Sequence, residues 1–248
     1  MKIKMQFGEL NITPSVEERL ADLGFAADSF ADDISDHKSD CDGNPSIYCG
    51  TWAKYNDGNL CGLWIDLTTF DDFEDFINFC KAIHADEEDP ELDAQDWENL
   101  PSGLDGDDLF ISDNWDKFKE YLELCDRYDA DAVDAFVGYF GIDSLSDFED
   151  RYQGEYKTME DYAEYIVSEL YDLDRIMGHL SCYFDYEKYA RDLECDYTLE
   201  DGYVFRTCCP EPSLLRRAAP QGRLSLCQLV DIKSEVVQRN ARPLFSLL

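Results

Sequence analysis

Apolar residues recur at helical spacing in several windows, and the intervals between them are short, polar and strongly acidic. Ser15–Gly24 reads as a helix, with Ser15 as N-cap, Glu18 at the capping-box position and Gly24 after its end. The stretch 31–45 reads as a linker. Ile47–Tyr55 and Leu60–Leu67 are strand-like runs, and Asn56-Asp57-Gly58-Asn59 between them predicts a hairpin turn. Asp71–His84 places Phe73, Phe76, Ile77, Cys80 and Ile83 on one helical face and Asp72, Glu74, Asp75 and Asn78 on the other. Trp115–Tyr128 is expected to bury Trp115, Phe118, Leu122 and Cys125, and Ala130–Phe140 runs helically up to Gly141. Leu145–Tyr152 predicts a short helix. Thr158–Asp174 opens on a capping-box pattern and is apolar at 159, 162, 166 and 170. Tyr186–Leu193 predicts a last helix, followed by strands Cys195–Leu199 and Tyr203–Arg206 around Asp201-Gly202. Strands, then helices, then strands predict an α+β arrangement of small units in tandem.

Composition changes this picture because the polar positions carry almost one sign. The 248 residues hold 21 Lys and Arg against 56 Asp and Glu, a formal net charge of −35. That excludes the basic face of a nucleic-acid binder, and direct nucleic-acid binding or an anionic membrane partner with it. A hydrophobic content of 44% with 14% aromatics is too high for a disordered acidic tail. The N-terminus lacks a signal-peptide pattern and no stretch has the length of a membrane span, so the ten cysteines are expected as reduced thiols in a cytoplasmic protein.

From Arg206 onward seven basic residues face three acidic ones, which leaves 1–205 with a net charge of −39. The segment 207–248, rich in Pro and basic, is expected to be a weakly ordered appendage. No Lys or Arg occurs between Lys81 and Lys117, an interval holding thirteen carboxylates, eight of them in 84–101. A second gap, Arg127 to Arg151, holds seven. Long acidic runs commonly form a solvated face or a loose loop. Here they interleave with Leu92, Trp97, Leu100, Leu109, Phe110, Ile111 and Trp115, which are expected to be buried, leaving the acids on a folded surface.

Chemical motifs fail one after another. Neither Asp40-Cys41-Asp42-Gly43-Asn44 nor Leu104-Asp105-Gly106-Asp107-Asp108 has the register of an EF-hand loop. No phosphate-cradling glycine motif, nucleophile elbow or C-x-x-C pair occurs, and His37, His84 and His179 are scattered. No cofactor, metal site or enzymatic activity is expected.

What remains is the charge itself. Glu160, Asp161, Glu164, Glu169 and Asp172 are outward positions of one predicted helix, and like charges four apart cost a few tenths of a kcal/mol per pair. Stability alone would alternate Lys with Glu, so the uniform sign points to a purpose outside the fold. Two carboxylates per helical turn give about one charge per 2.7 Å, against roughly one per 1.7 Å in duplex DNA. A charge of −39 equals the phosphate charge of roughly 20 base pairs. A folded body so charged fits the groove of a DNA-binding protein, where carboxylates replace phosphates as acceptors for Arg. The alternatives are a solvated halophile-type protein, a mimic aimed at another basic partner such as a nucleoid protein or nuclease, and a divalent-metal binder or metal-dependent enzyme, for which no ligand spacing speaks.

Two sets of blocks resemble ArdA-type antirestriction proteins. The first is Ile47-Tyr48-Cys49-Gly50-Thr51-Trp52-Ala53-Lys54-Tyr55-Asn56 with Leu60-Cys61-Gly62-Leu63-Trp64-Ile65-Asp66-Leu67, followed by the acidic block from His84 to Leu92 and Gln95-Asp96-Trp97-Glu98. The second is Phe184–Leu193 and Gly202-Tyr203-Val204-Phe205-Arg206. The resemblance spans about 47–206 and implies an elongated α+β tandem of three small domains with a helical middle and an acidic surface, usually dimeric and made by mobile elements. It implies a DNA mimic that blocks type I restriction–modification enzymes at their methyltransferase core.

On that basis 1–46 is an N-terminal extension, 47–112 a first domain of β-hairpin plus helix, 113–150 a helical second domain, and 151–206 a third closed by a hairpin. The collective mimic surface draws on Asp71, Asp72 and Asp75, on Asp86, Glu87, Glu88, Asp89 and Glu91, and on Asp93, Asp96 and Glu98. It continues through Asp105, Asp107 and Asp108, Asp129, Asp131 and Asp134, and Glu160, Asp161, Glu164, Glu169 and Asp172. Phe148–Tyr156 is the expected homodimer contact, through Phe148, Tyr152 and Tyr156. The segments 1–46 and 207–248 lie beyond the resemblance.

Overall fold

A computed structural model describes residues 1–207, and the expectation for 207–248 therefore lies outside the described residues but for its first. The described residues divide into two compact units, one of residues 1–145 and one of residues 146–207.

The first unit opens with β1 (Lys2–Lys4) paired antiparallel to β2 (Glu9–Asn11), burying Ile3 and Leu10. Helix α1 spans Pro14–Asp22, and its N-cap is Thr13, not Ser15: the Thr13 hydroxyl accepts from the Val16 N–H. Pro14 explains the earlier start, because its fixed φ and missing N–H suit the first helical position. The expected linker at 31–45 contains a helix, α2 (Phe30–His37), with Phe30 and Ile34 buried. Phe30 packs against Phe25 and Phe79, at ring-centroid distances of 5.2 and 6.2 Å. The acids of this stretch mask an apolar pair whose Phe30 finds its partner Phe79 almost fifty residues away.

The first three-stranded sheet has the order β4-β3-β5, all antiparallel, from β3 (Ser46–Thr51), β4 (Leu63–Asp66) and β5 (Leu92–Glu98). Strand β3 is central and buried along its whole length. The expected tight hairpin at 56–59 does not form. Trp52–Asn56 is instead a short helix, α3, because the Thr51 hydroxyl caps it by accepting from the Lys54 N–H. Strand β5 falls in the acidic run and was not foreseen. Its acids tolerate the sheet because Asp96 and Glu98 are exposed while Ala94 faces the core.

Helix α4 (Phe73–Ala82) lies close to expectation, capped by Asp72, whose carboxylate accepts from the Asp75 N–H. It buries Phe76, Phe79, Cys80 and Ala82, while Phe73, Ile77 and Asn78 are half-buried. Helix α5 (Ser112–Arg127) is rotated from its expected face: Tyr121 and Leu124 join Trp115 and Phe118 inside, and Leu122 and Cys125 are half-buried. Phe76 stacks on Trp115 at 4.5 Å, joining α4 to α5. Of the apolar residues in the acidic run, Leu109 and Trp115 are buried and Leu92, Leu100 and Phe110 half-buried, but Trp97 and Ile111 are exposed. Helix α6 (Ala130–Phe140) ends at Gly141, whose φ of +84° suits glycine.

In the second unit α7 (Phe148–Arg151) leads directly into β6 (Tyr152–Glu155), so the expected helix 145–152 is shorter and ends in an unforeseen strand. Helix α8 (Met159–Leu170) is capped by the Thr158 hydroxyl, which accepts from the Asp161 N–H at 3.1 Å. It stops at Leu170, four residues before the expected end, and Leu170 is exposed. Asp172 then caps a separate helix, α9 (Leu173–Met177). Helix α10 (Tyr186–Leu193) packs on α8, and β7 (Tyr197–Glu200) and β8 (Tyr203–Arg206) form the expected hairpin across Asp201 and Gly202. Both turn residues have positive φ, as a tight Asp-Gly turn requires. The sheet order is β6-β8-β7, so β8 is central. Met159, Tyr162, Ala163 and Ile166 close a core with Ala190, Leu193 and Val204.

Candidate functional site

The candidate carboxylates are distributed over loops, caps and helix faces of both units and over strand β5. All are exposed except Asp93, which is buried, and Glu87 and Asp108, which are half-buried. Burial and the nearby Asp107 carboxylate push the Asp93 pKa up. Asp93 therefore offers no oxygen to a partner and leaves the candidate surface set.

Several of these acids also hold the backbone or a neighbouring side chain. Asp107 accepts from the Ala94 N–H at 2.9 Å, and Asp105 and Asp108 each accept the other's N–H at 3.1 Å. Asp129 accepts from the Asp131 N–H, and Asp134 from the Tyr121 hydroxyl at 2.7 Å. Burial, with this bond second, raises the Tyr121 pKa. An ionised carboxylate has about four acceptor positions, so one internal bond leaves most of them for an external donor.

The densest acidic stretch, 84–91, is tied down by a buried cluster. Lys54 on α3 is 7% exposed, and its Nζ lies 2.8 Å from His84 Nδ1, 2.8 Å from Asp86 Oδ1 and 3.3 Å from Glu87 Oε1. An ammonium only donates, so His84 Nδ1 must accept and its Nε2–H points to the Cys49 carbonyl at 3.3 Å. The Thr51 hydroxyl donates to Glu87 Oε1 at 2.7 Å, the Trp52 N–H to the Glu91 carbonyl at 3.0 Å, and Arg19 Nε to the Ala85 carbonyl at 2.6 Å. The ligand atoms of His84, Asp86 and Glu87 lie within 4.8 Å of one another, a spacing that suits a metal ion. The Lys54 ammonium already supplies the cation there. Sequence reasoning missed Lys54, whose three partners lie thirty or more residues away.

Beside it Cys49, Cys80 and His84 form a sulfur–imidazole grouping, and all three are fully buried. Donation from the Cys80 thiol foremost, then the His84 ring, lowers the Cys49 pKa, whereas burial holds the Cys80 proton in place. Sulfurs sealed in the core have no route to a substrate, so the grouping reads as packing.

The expected dimer contact divides. Phe148 is fully buried, stacked on Tyr152 at 5.2 Å and close to Phe205, so it cannot meet a second chain. Tyr152 and Tyr156 are half-buried, Tyr156 against Tyr162 and Tyr165. The conspicuous exposed aromatics among the described residues are others: Phe7, Trp52, Tyr55, Trp97, Tyr139, Tyr165 and Tyr183.

Compared with protein families, residues 47–205 match the family described as Antirestriction protein (ArdA). The chain belongs to the ArdA family. The matched range starts inside β3 and ends inside β8, so it takes in both three-stranded sheets but leaves out the β1-β2 pair, α1 and α2. ArdA membership makes this an antirestriction protein, of a family of inhibitors and not enzymes. No curated protein matches the chain. Among the described residues, no helix is long and apolar enough to cross a membrane.

Proposed function

We propose that this ArdA protein inhibits a type I restriction–modification enzyme in the cytoplasm by occupying the DNA-binding groove of its methyltransferase core. The observation that carries the proposal is the exposure of nearly every candidate carboxylate in a chain of net charge −35. On α8, Glu160, Asp161, Glu164 and Glu169 are all exposed along twelve residues. That length is about 18 Å, or one carboxylate per roughly 4.5 Å. It is sparser than duplex DNA and closer to the roughly 3.4 Å phosphate spacing of one strand. Helix α8 alone thus carries acceptors at about the density of a single backbone, and more than one acidic element is needed to imitate two.

The test is competition. The protein is titrated into a type I methyltransferase complex holding labelled duplex, at rising salt. Displacement of the duplex is expected, with an apparent affinity that falls as salt screens the groove's cations and as counterion release loses its advantage. Equal affinity from low to high salt would remove the electrostatic mechanism.

A further inference from the structure

Resting on that function, we propose that Lys54 is a positioning residue. Its ammonium sets where the loop 84–91 stands, and inhibition depends on that placement as well as on charge. Asp86, Glu87, Glu88, Asp89 and Glu91 crowd five negative charges into six residues, and their repulsion favours a splayed loop. A protein selected only for negative potential would leave them all unpaired. Instead one of only 21 cations in the chain is buried beneath them, at the desolvation cost of an enclosed ammonium. Lys54 binds two of the five carboxylates, Asp86 and the half-buried Glu87, and orients the His84 ring as well. Thr51, Trp52 and Arg19 secure the same loop at Glu87, Glu91 and Ala85. Glu88, Asp89 and Glu91 are thereby held outward at a fixed place, each exposed and with no side-chain ion pair to a described residue. Asp86 and Glu87 thus serve mainly to hold the loop, and the three acids beyond them face the partner.

The sign of one substitution separates placement from charge. Lys54→Met in the full chain keeps the side-chain length and makes the net charge one unit more negative. Charge alone predicts equal or tighter competition with duplex DNA. Placement predicts competition weakened several-fold, with the near-ultraviolet spectrum retained and amide exchange accelerated within 84–91. Equal or tighter competition by the folded variant overturns the proposal. Should Lys54→Met fail to fold, Glu87→Gln and Glu88→Gln decide, since each removes one charge. Placement predicts a larger loss and faster loop exchange for Glu87→Gln, and equal losses with unchanged exchange overturn it. If the wild-type protein displaces no duplex, the proposed function fails, and the exchange measurements alone then judge the role of Lys54.

Discussion

His37 shows how one residue ties the amino-terminal extension to the matched family core. Its ring stacks on Phe70 at 4.2 Å and 15°, meets Phe79 edge-on at 4.7 Å, and places Nδ1 2.8 Å from the Thr69 hydroxyl. Burial pushes its pKa below the ordinary value, and the carboxylates of Asp36, Asp33, Asp75 and Asp66 only partly oppose this. The folded state therefore holds the proton less tightly than the unfolded chain. The resulting stability is fully present above pH of about 6.5 and is lost as pH falls through that value towards the lowered folded one. Replacing His37 by Asn should flatten that part of the curve. Denaturant midpoints of the two proteins, measured from pH 8 to 5, should converge at the acid end, and parallel curves would refute the assignment.

Helix α2 makes the corresponding point for an element. Read locally, 31–45 is acidic and unpunctuated by the periodicity of a helix, yet Phe30 is fully buried against Phe25 and Phe79. Isolated bridges at Phe7↔Gly62 and Lys38↔Ile65 bring the extension against strand β4 and its approach. Phe30→Ala should therefore cost about 3–5 kcal/mol, as for other buried phenylalanines, and lower the denaturant midpoint accordingly. A change under about 0.5 kcal/mol, typical of a surface site, would mean the extension is an appendage after all. Elements whose signals are local were legible in the sequence: α6 stops at Gly141 and α10 spans Tyr186–Leu193 as expected, and β8 follows its Asp-Gly turn. Strands β5 and β6 were not, because each is completed by a distant partner, β3 and β8 respectively. The acids of β5 disguise it as loop, and a hydroxyl cap at Thr51 converts an expected hairpin turn into α3. The site followed the same rule. Exposed acids could be read one by one, whereas the burial of Asp93 and the bonds of Lys54 to His84, Asp86 and Glu87 arise only from the fold.

For the whole molecule the question is whether inhibition belongs to a spot or to a sum. With 56 acidic residues against 21 basic ones, no single carboxylate dominates the potential. If each one facing the groove replaces one phosphate, its removal lowers the salt slope by about one unit and leaves the other contacts standing. Single changes at the exposed Asp89, Glu91, Asp96 and Glu98 should therefore each weaken competition only slightly. Combining two, three and then four of them should weaken it progressively, with the salt dependence flattening in step. Asp93→Asn belongs outside this series: the side chain is buried, so its neutralisation removes no surface acceptor and should leave the salt slope unchanged. Competition assays with the single, double, triple and quadruple variants at three salt concentrations would resolve the steps. Loss of all inhibition from one exposed change, with the fold intact, would put recognition in a local site and leave the rest of the negative charge without a role in binding.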